Sequence, residues 1–235
     1  MRTIVVGAGS AGSVIASRLT EDARHEVVLV EAGPDYPTAG ERPEVLPAAL
    51  RDGRQNALHG HDWGYSYRAT GHRFWSALPM GFPRGRVVGG SSAVNTCIAL
   101  RGQPADYDEW AALGLKEWAW SECLPAFKRL EHDLDYAKDE DTELHGAHGP
   151  ILIRRHPRAE LVPWQNAFID ACQEIGFPYC DDTNDPSKHG VGPHAMNKID
   201  GKRISAARGY LTRAVRERPN LTIMANTLLR RVRFF

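Results

Sequence analysis

The run Gly7-Ala8-Gly9-Ser10-Ala11-Gly12 constrains the fold of this chain more than any other. Before it, Thr3-Ile4-Val5-Val6 is a short apolar run of the kind that forms a parallel strand buried on both faces. After it, Ser13 to Thr20 sets Val14, Ile15 and Leu19 at helical spacing. Glu26-Val27-Val28-Leu29-Val30 supplies a second strand, with Glu31 at its carboxyl end. The order is that of a βαβ unit, and it gives each glycine a task. Gly7 makes the tight turn, Gly9 lets a pyrophosphate reach the backbone, and Gly12 lets the helix approach the strand. The amides at Ser10 and Ala11 stand at the positive end of the helix dipole. Glu31, followed by Ala32, is placed to accept hydrogen bonds from ribose hydroxyls, and its carboxylate repels a 2′-phosphate. A dinucleotide site is therefore expected at Gly7, Gly9, Ser10, Ala11, Gly12, Glu31 and Ala32, with NAD and FAD both open at this point.

A NAD-type domain would continue with alternating strands and helices. The stretch from Asp35 to about Arg84 does not. It is polar, rich in Gly and Pro, and carries Trp63, Tyr65, Tyr67, Phe74 and Trp75, which reads as an excursion packed over a ligand or a partner surface. It leads into Gly85-Arg86-Val87-Val88-Gly89-Gly90-Ser91-Ser92-Ala93-Val94-Asn95. Adjacent glycines let the backbone approach a planar or anionic ligand, and Arg86 has the geometry to grip a phosphate bidentately. Ser91 and Ser92 add hydroxyls and helix-capping oxygens. A flexible hinge would explain Gly89 and Gly90, but not the placing of Arg86, Ser91, Ser92 and Asn95.

Together these residues resemble the glucose–methanol–choline (GMC) flavin oxidoreductases, choline-dehydrogenase-like members above all. The resemblance is carried by Gly7 to Gly12, Glu31-Ala32-Gly33, Gly85-Arg86, Val88 to Ser92, Val94-Asn95, Ala99, Gly102 and Asp108. It continues through Asp108-Glu109-Trp110, Trp118, Leu124-Pro125, His145-Gly146, Gly149-Pro150, Ser205 to Leu211 and Arg218-Pro219-Asn220-Leu221-Thr222. It implies an α/β chain: a Rossmann-like FAD-binding domain of the glutathione-reductase type over 1–150, with a flavin-covering loop at 81–102. The start of an α+β substrate domain would follow over 151–203, with a return to the FAD domain over 204–235. It also implies an extended FAD, with ADP over the first glycine loop and the isoalloxazine under the segment Val87 to Ile98. Arg86, Val87, Gly90, Ser91, Asn95 and Ile98 would then touch the cofactor, and the backbone of Leu229 the adenine. Some oxidases of the family bind flavin covalently through a histidine where this chain has Val94, so noncovalent FAD is implied. The implied reaction oxidises a small-molecule alcohol to an aldehyde or ketone by hydride transfer to the flavin. Oxygen, a quinone or another carrier would take the electrons. The family's proton-accepting histidine lies near the C-terminus of longer members, so no residue of this chain takes that catalytic role. A catalytically inactive nucleotide-binding module is the alternative, whereas an NAD-dependent dehydrogenase leaves the second glycine loop unexplained.

Elsewhere, Ile151 to Arg154 and Leu221 to Met224 read as strands, and Trp164 to Cys172 as an amphipathic helix ending near Gly176. Ser205 opens a further helix, and Arg230, Arg231 and Arg233 alternate with apolar residues as in a strand that runs to the end of the chain. The pairs His59/His61 and His145/His148 lack further ligands at metal-site spacing and read as exposed or hydrogen-bonded loop histidines, with no metal expected. Asp181-Asp182-Thr183-Asn184-Asp185 lacks the glycine and glutamate of a calcium loop and reads as a turn cluster. Cys97, Cys123, Cys172 and Cys180 form no C-x-x-C pair and read as reduced, buried thiols in a cytoplasmic protein. With 29 basic and 29 acidic residues the chain has no surface excess of charge for nucleic acid or an anionic membrane. No apolar run approaches the ~20 residues of a transmembrane segment.

Overall fold

The computed structural model describes residues 1–37, 45–68 and 78–234; Phe74, Trp75 and Phe235 lie outside them. The chain forms two compact units, Met1–Thr96 with Gly201–Phe235, and Cys97–Asp200.

The first unit opens with strand β1 (Arg2–Val6), helix α1 (Ser10–Leu19) and strand β2 (Glu26–Val30), close to the ranges expected. β1 and β2 pair in parallel, Thr3 opposite Val27 and Val5 opposite Leu29. The face of α1 that packs inward is made mostly of small residues, with Leu19 beside them against the core. Gly12, Ser13, Ala16 and Ser17 are buried, while Ile15 is 45% exposed. Small residues let α1 lie close to the sheet and to a later helix. Of the hydroxyls buried here, that of Ser13 donates to Ala8 O at 3.0 Å, and that of Thr20 at the C-cap donates to Ala16 O at 2.8 Å. Nor is β1 covered on both faces. Val5 joins the core, whereas Ile4 and Val6, which alternate to the other face, are 64% and 55% exposed. Two short elements follow: α2 (Ala48–Arg51) and an antiparallel pair, β3 (Ser66–Tyr67) with β4 (Met80–Gly81).

The second unit contains α3 (Pro104–Ala112), α4 (Trp120–Leu130), β5 (Glu131–Asp133), β6 (Ile151–Ile153), α5 (Pro163–Glu174) and β7 (Lys198–Ile199). α5 ends as expected before Gly176, whose φ of +98° suits a residue without a side chain. Contacts do not divide at Pro150. β5 pairs in parallel with β6 across it, so residues 97–150 pack with 151–200, and the boundary falls between Thr96 and Cys97.

The chain returns to the first unit through β8 (Lys202–Arg203), α6 (Ala206–Tyr210, capped by the Ser205 hydroxyl), α7 (Arg213–Arg216) and β9 (Leu221–Met224). β9 pairs in parallel with β2, so the sheet order is β1-β2-β9 with β2 in the centre. Asn220 explains the run Arg218-Pro219-Asn220: its amide donates to Thr20 O and His25 O at the two ends of the α1–β2 turn. Beyond Ala225 the expected strand is absent. Asn226 adopts φ +52°, and residues 230–234 have no ladder partner and are exposed. Val5, Ala8, Ala16, Val27, Leu29, Val88, Leu211, Val215 and Leu221 form the core of this α/β unit. No helix among the described residues is long and apolar enough to cross a membrane; Cys97 and Cys180 are buried and Cys123 and Cys172 partly so.

Candidate functional site

The two glycine loops meet. Gly7, at φ +92°, turns the chain out of β1, and its N–H donates to Val30 O at 2.7 Å. Gly9 is the N-cap of α1, with no capping side chain on the helix, so the amides of the first turn are left for a ligand. Gly12 sits where a Cβ would lie 1.8 Å from Gly7 O. The second loop reaches this turn through Gly89 N–H, which donates to Ala8 O at 2.7 Å. Gly90, at φ +53°, is buried where a Cβ would come within 2.6 Å of Gly9 Cα. The two turns therefore form one cradle. Ser10, Ala11, Ser91 and Asn95 are exposed around it.

Glu31 fixes the cradle from below. Its side chain is buried and accepts from Ala8 N (2.9 Å) and Gly33 N (2.8 Å). A carboxylate has lone pairs left after two such bonds, so it keeps acceptor capacity for a further donor. Gly33 is forced to be glycine, since a Cβ would lie 2.2 Å from Arg86 O, and Ala32 lies between them, half-buried. Arg86 is exposed, with its guanidinium 5.4 Å from the Trp63 ring centroid, and Trp63 stacks on Tyr65. Val87 has turned inward: its side chain packs with Leu50, Ala57, Ala93 and Val94, leaving only backbone for a ligand. Val94 is buried in the same cluster. Ser92 donates to Gly89 O (2.6 Å) and accepts from Ala206 N (2.9 Å), tying the loop to the start of α6.

Ile98 belongs to the second unit, which divides the expected 81–102 loop at Thr96. Leu229 lies in the exposed tail, where the nearby Thr227 N–H donates to Glu31 O at 2.8 Å. The residue that sequence reading missed is Arg203, which is 2% exposed and donates to Asn95 O. It lies more than a hundred positions from the loop it holds, so no local pattern marks it.

A family model described as GMC oxidoreductase matches residues 1–234. The chain belongs to the GMC oxidoreductases. An oxygen-dependent choline dehydrogenase of Staphylococcus saprophyticus is 39% identical over 233 residues, 98% of this chain and 40% of the relative. The enzyme of the same name from Ectopseudomonas mendocina is 38% identical, over 98% of this chain and 39% of its own length. Among solved structures, pyridoxine 4-oxidase from Mesorbium loti shares 35% identity with a TM-score of 0.77, over 95% of this chain and 42% of that one. An FAD-dependent oxidoreductase from Chaetomium thermophilum shares 28% identity at a TM-score of 0.77, over 94% and 38%. The chain thus spans about two fifths of the length of the relatives it matches.

In the second unit of this GMC oxidoreductase, His145 takes the hydrogen-bonded of the two forms expected for it, and it is buried. Asp182 caps the expected turn, accepting from Asn184 N at 3.0 Å. His145 Nδ1 lies 3.0 Å from Glu131 and 3.1 Å from Asp133, and its Nε2 lies 2.8 Å from Asp182. Arg155 binds both oxygens of Asp133 and one of Asp182, with Asp135 at the rim, and Arg101 binds Glu131. Glu131, Asp133 and His145 are close enough to one another for a metal. Arg101 and Arg155 already supply the positive charge, and a third cation would face two guanidiniums. Glu131, Asp133 and Asp182 against two guanidiniums leave one negative charge, which a protonated His145 cancels. Burial opposes that proton, but bonds to Asp133, Asp182 and Glu131 outweigh it and push His145 up to about 10. Burial likewise opposes ionisation of Asp182, yet His145 and Arg155 hold it down at about 2.

The sign of the pH dependence follows. An unfolded histidine titrates near ~6.5, so His145 contributes in full below that pH, and its contribution fades until it is gone above about 10. Asp182 contributes above its ordinary range near ~4, a contribution lost as the pH falls to about 2. Hydrogen exchange of segments 131–153 and 180–184 is expected to speed up between pH 8 and 10 beyond the base-catalysed rate. In a His145→Gln variant that excess is expected to vanish; its persistence would show that another group titrates.

Proposed function

We propose that this chain holds FAD noncovalently and serves an enzyme that oxidises a small-molecule alcohol to an aldehyde or ketone. The observation that carries the reading is the fusion of the two glycine loops at Ala8–Gly89 and Gly9–Gly90. The first loop alone fits any dinucleotide. A second glycine turn pressed against it, with Arg86, Ser91 and Asn95 exposed alongside, fits a longer cofactor whose ring lies beyond the pyrophosphate. Bound FAD would accept hydride from the carbon that bears the hydroxyl. The residues of this chain bind and orient: helix α1 faces the phosphates, Glu31 takes ribose hydroxyls, and the Val87-to-Asn95 turn covers the ring. Ile98 and the backbone of Leu229 are proposed as outer contacts. Residues 1–150 and 204–235 are proposed as FAD-binding, and 151–203 as the first part of a substrate domain. The hydroxyl proton must go to a base, and His145, which is buried with both ring nitrogens committed to carboxylates, is not that base. Choline and pyridoxine, named for the relatives, are both candidates for the alcohol. Oxygen, named for the choline dehydrogenases, is one candidate acceptor beside a quinone or another carrier. The free thiols of Cys123, Cys172 and Cys180 fit a cytoplasmic setting.

Val94 supports the noncovalent linkage, because its side chain is buried and offers no nucleophile. Acid precipitation of flavin-loaded protein is expected to leave the yellow colour in the supernatant; colour retained in the pellet would contradict it. Bleaching of the flavin by choline or pyridoxine without oxygen would support the oxidation. Full flavin colour after exposure to a broad panel of alcohols would favour a nucleotide-binding module without turnover.

A further inference from the structure

Arg203 is the most heavily bonded buried cation near the cradle. It lies in β8, and its side chain donates from Nε and Nη2 to Asn95 O (3.0 and 2.7 Å), from Nη1 to Ala49 O (3.2 Å) and Leu50 O (2.7 Å), and from Nη2 to Gln55 O (2.7 Å). A guanidinium has five N–H donors in one plane, and all of them are used. Two converge on a single oxygen, which fixes both the position of the Asn95 carbonyl and the plane of its peptide. The other three anchor the guanidinium to the end of α2 and to Gln55. A buried charge spent on carbonyls is costly unless each bond is made, so this arrangement tolerates little movement.

The Asn95 carbonyl matters because of where the chain goes on either side of it. Val94, just before it, has its own carbonyl bonded to Ala57 N (2.8 Å) and its side chain in the core. The Asn95 N–H closes the turn on Ser91 O (3.1 Å), and Asn95 and Thr96 are exposed. The loop is thus clamped on its inner side and open on the other. We propose that Arg203 is a positioning residue for the cofactor's ring end: it sets the Asn95–Thr96 edge over the isoalloxazine without touching the ligand. This rests on the FAD reading above. It separates two halves of one site. The phosphate end is built on α1 and Glu31, whereas the guanidinium of Arg203 spends its five donors on Asn95, Ala49, Leu50 and Gln55.

The separation makes the test. ADP reports the phosphate end alone, whereas FAD reports both ends. In Arg203→Met, and in Arg203→Lys, whose single ammonium cannot serve four carbonyls, FAD affinity is expected to fall about tenfold, ~1.4 kcal/mol. ADP affinity is expected to stay within about twofold, a change of under ~0.5 kcal/mol. The resolved shoulders of the bound flavin's visible spectrum should also blur as the ring loses its fixed surroundings. Two outcomes would overturn the proposal: both ligands bound as tightly as by the parent with an unchanged spectrum, or both lost together in both variants, which would make Arg203 a general brace of the fold. A parent chain that binds ADP and not FAD would instead refute the FAD reading itself.

Discussion

Gly90→Ala is expected to weaken FAD binding by about a hundredfold, ~3 kcal/mol. The substitution carries two costs, the first borne by the fold and the second by binding. A side chain at φ +53° costs about 1–2 kcal/mol for the left-handed backbone. The new methyl must also stand 2.6 Å from Gly9 Cα, so the two loops have to separate or one must rebuild. Separation stretches the Gly89–Ala8 bond and opens the cradle where the pyrophosphate would lie. Gly114→Ala isolates the first, because Gly114 has φ +102° with nothing within 4 Å of its would-be Cβ. It is expected to lower the melting temperature and leave FAD affinity as it was. Equal FAD affinity in Gly90→Ala and the parent, measured by quenching of flavin fluorescence, would mean that the loops do not act as one site.

Asp133→Asn is expected to destabilise the unit formed by residues 97–200 by ~3–5 kcal/mol, the cost of breaking a buried ion pair from one side. Asp133 is fully buried, and Arg155 grips both its oxygens while His145 lies 3.1 Å away. The amide keeps the shape and removes the charge, leaving the cluster with one uncompensated cation. Tyr136, stacked on the His145 ring and lying under the Arg155 guanidinium, loses its setting as well. Glu160→Gln provides the contrast, since it breaks the exposed pairs that Glu160 makes with Arg154 and His156 and should leave the unfolding midpoint nearly unchanged. Urea unfolding followed by hydrogen exchange of residues 131–153 distinguishes the two variants. Matching midpoints would mean that the buried cluster is stabilised by something other than its charges.

What the sequence displays and what it hides divide along physical lines. The βαβ unit is legible because its signals are local: an apolar run, glycines at fixed offsets, and an acidic residue ending the next strand. β1, α1 and β2 fall within a few residues of the expected ranges. The inward face of α1 is not legible from hydrophobicity. Close packing selects Gly12, Ser13, Ala16 and Ser17 for size, and Ile15 faces out. The buried cluster is hidden for another reason. Glu131, Asp133, His145, Arg155 and Asp182 are scattered over fifty positions, and charge balance exists only once the chain has folded. The Arg203 clamp is hidden in the same way, because its acceptors are backbone carbonyls, which no side-chain motif records. The tail misleads because Arg230, Arg231 and Arg233 alternate as in a strand, but alternation makes a strand only where a neighbour offers a ladder.

The most direct measurement is a calorimetric titration of the purified, flavin-free chain with FAD, with NAD and ADP as competitors. One FAD per chain, displaced by ADP and by NAD only at concentrations far above that of FAD, is the expected result, because both competitors carry the ADP half and neither carries the ring that the second glycine turn covers. Binding of NAD with an affinity equal to that of FAD, or no heat from FAD at all, would contradict it.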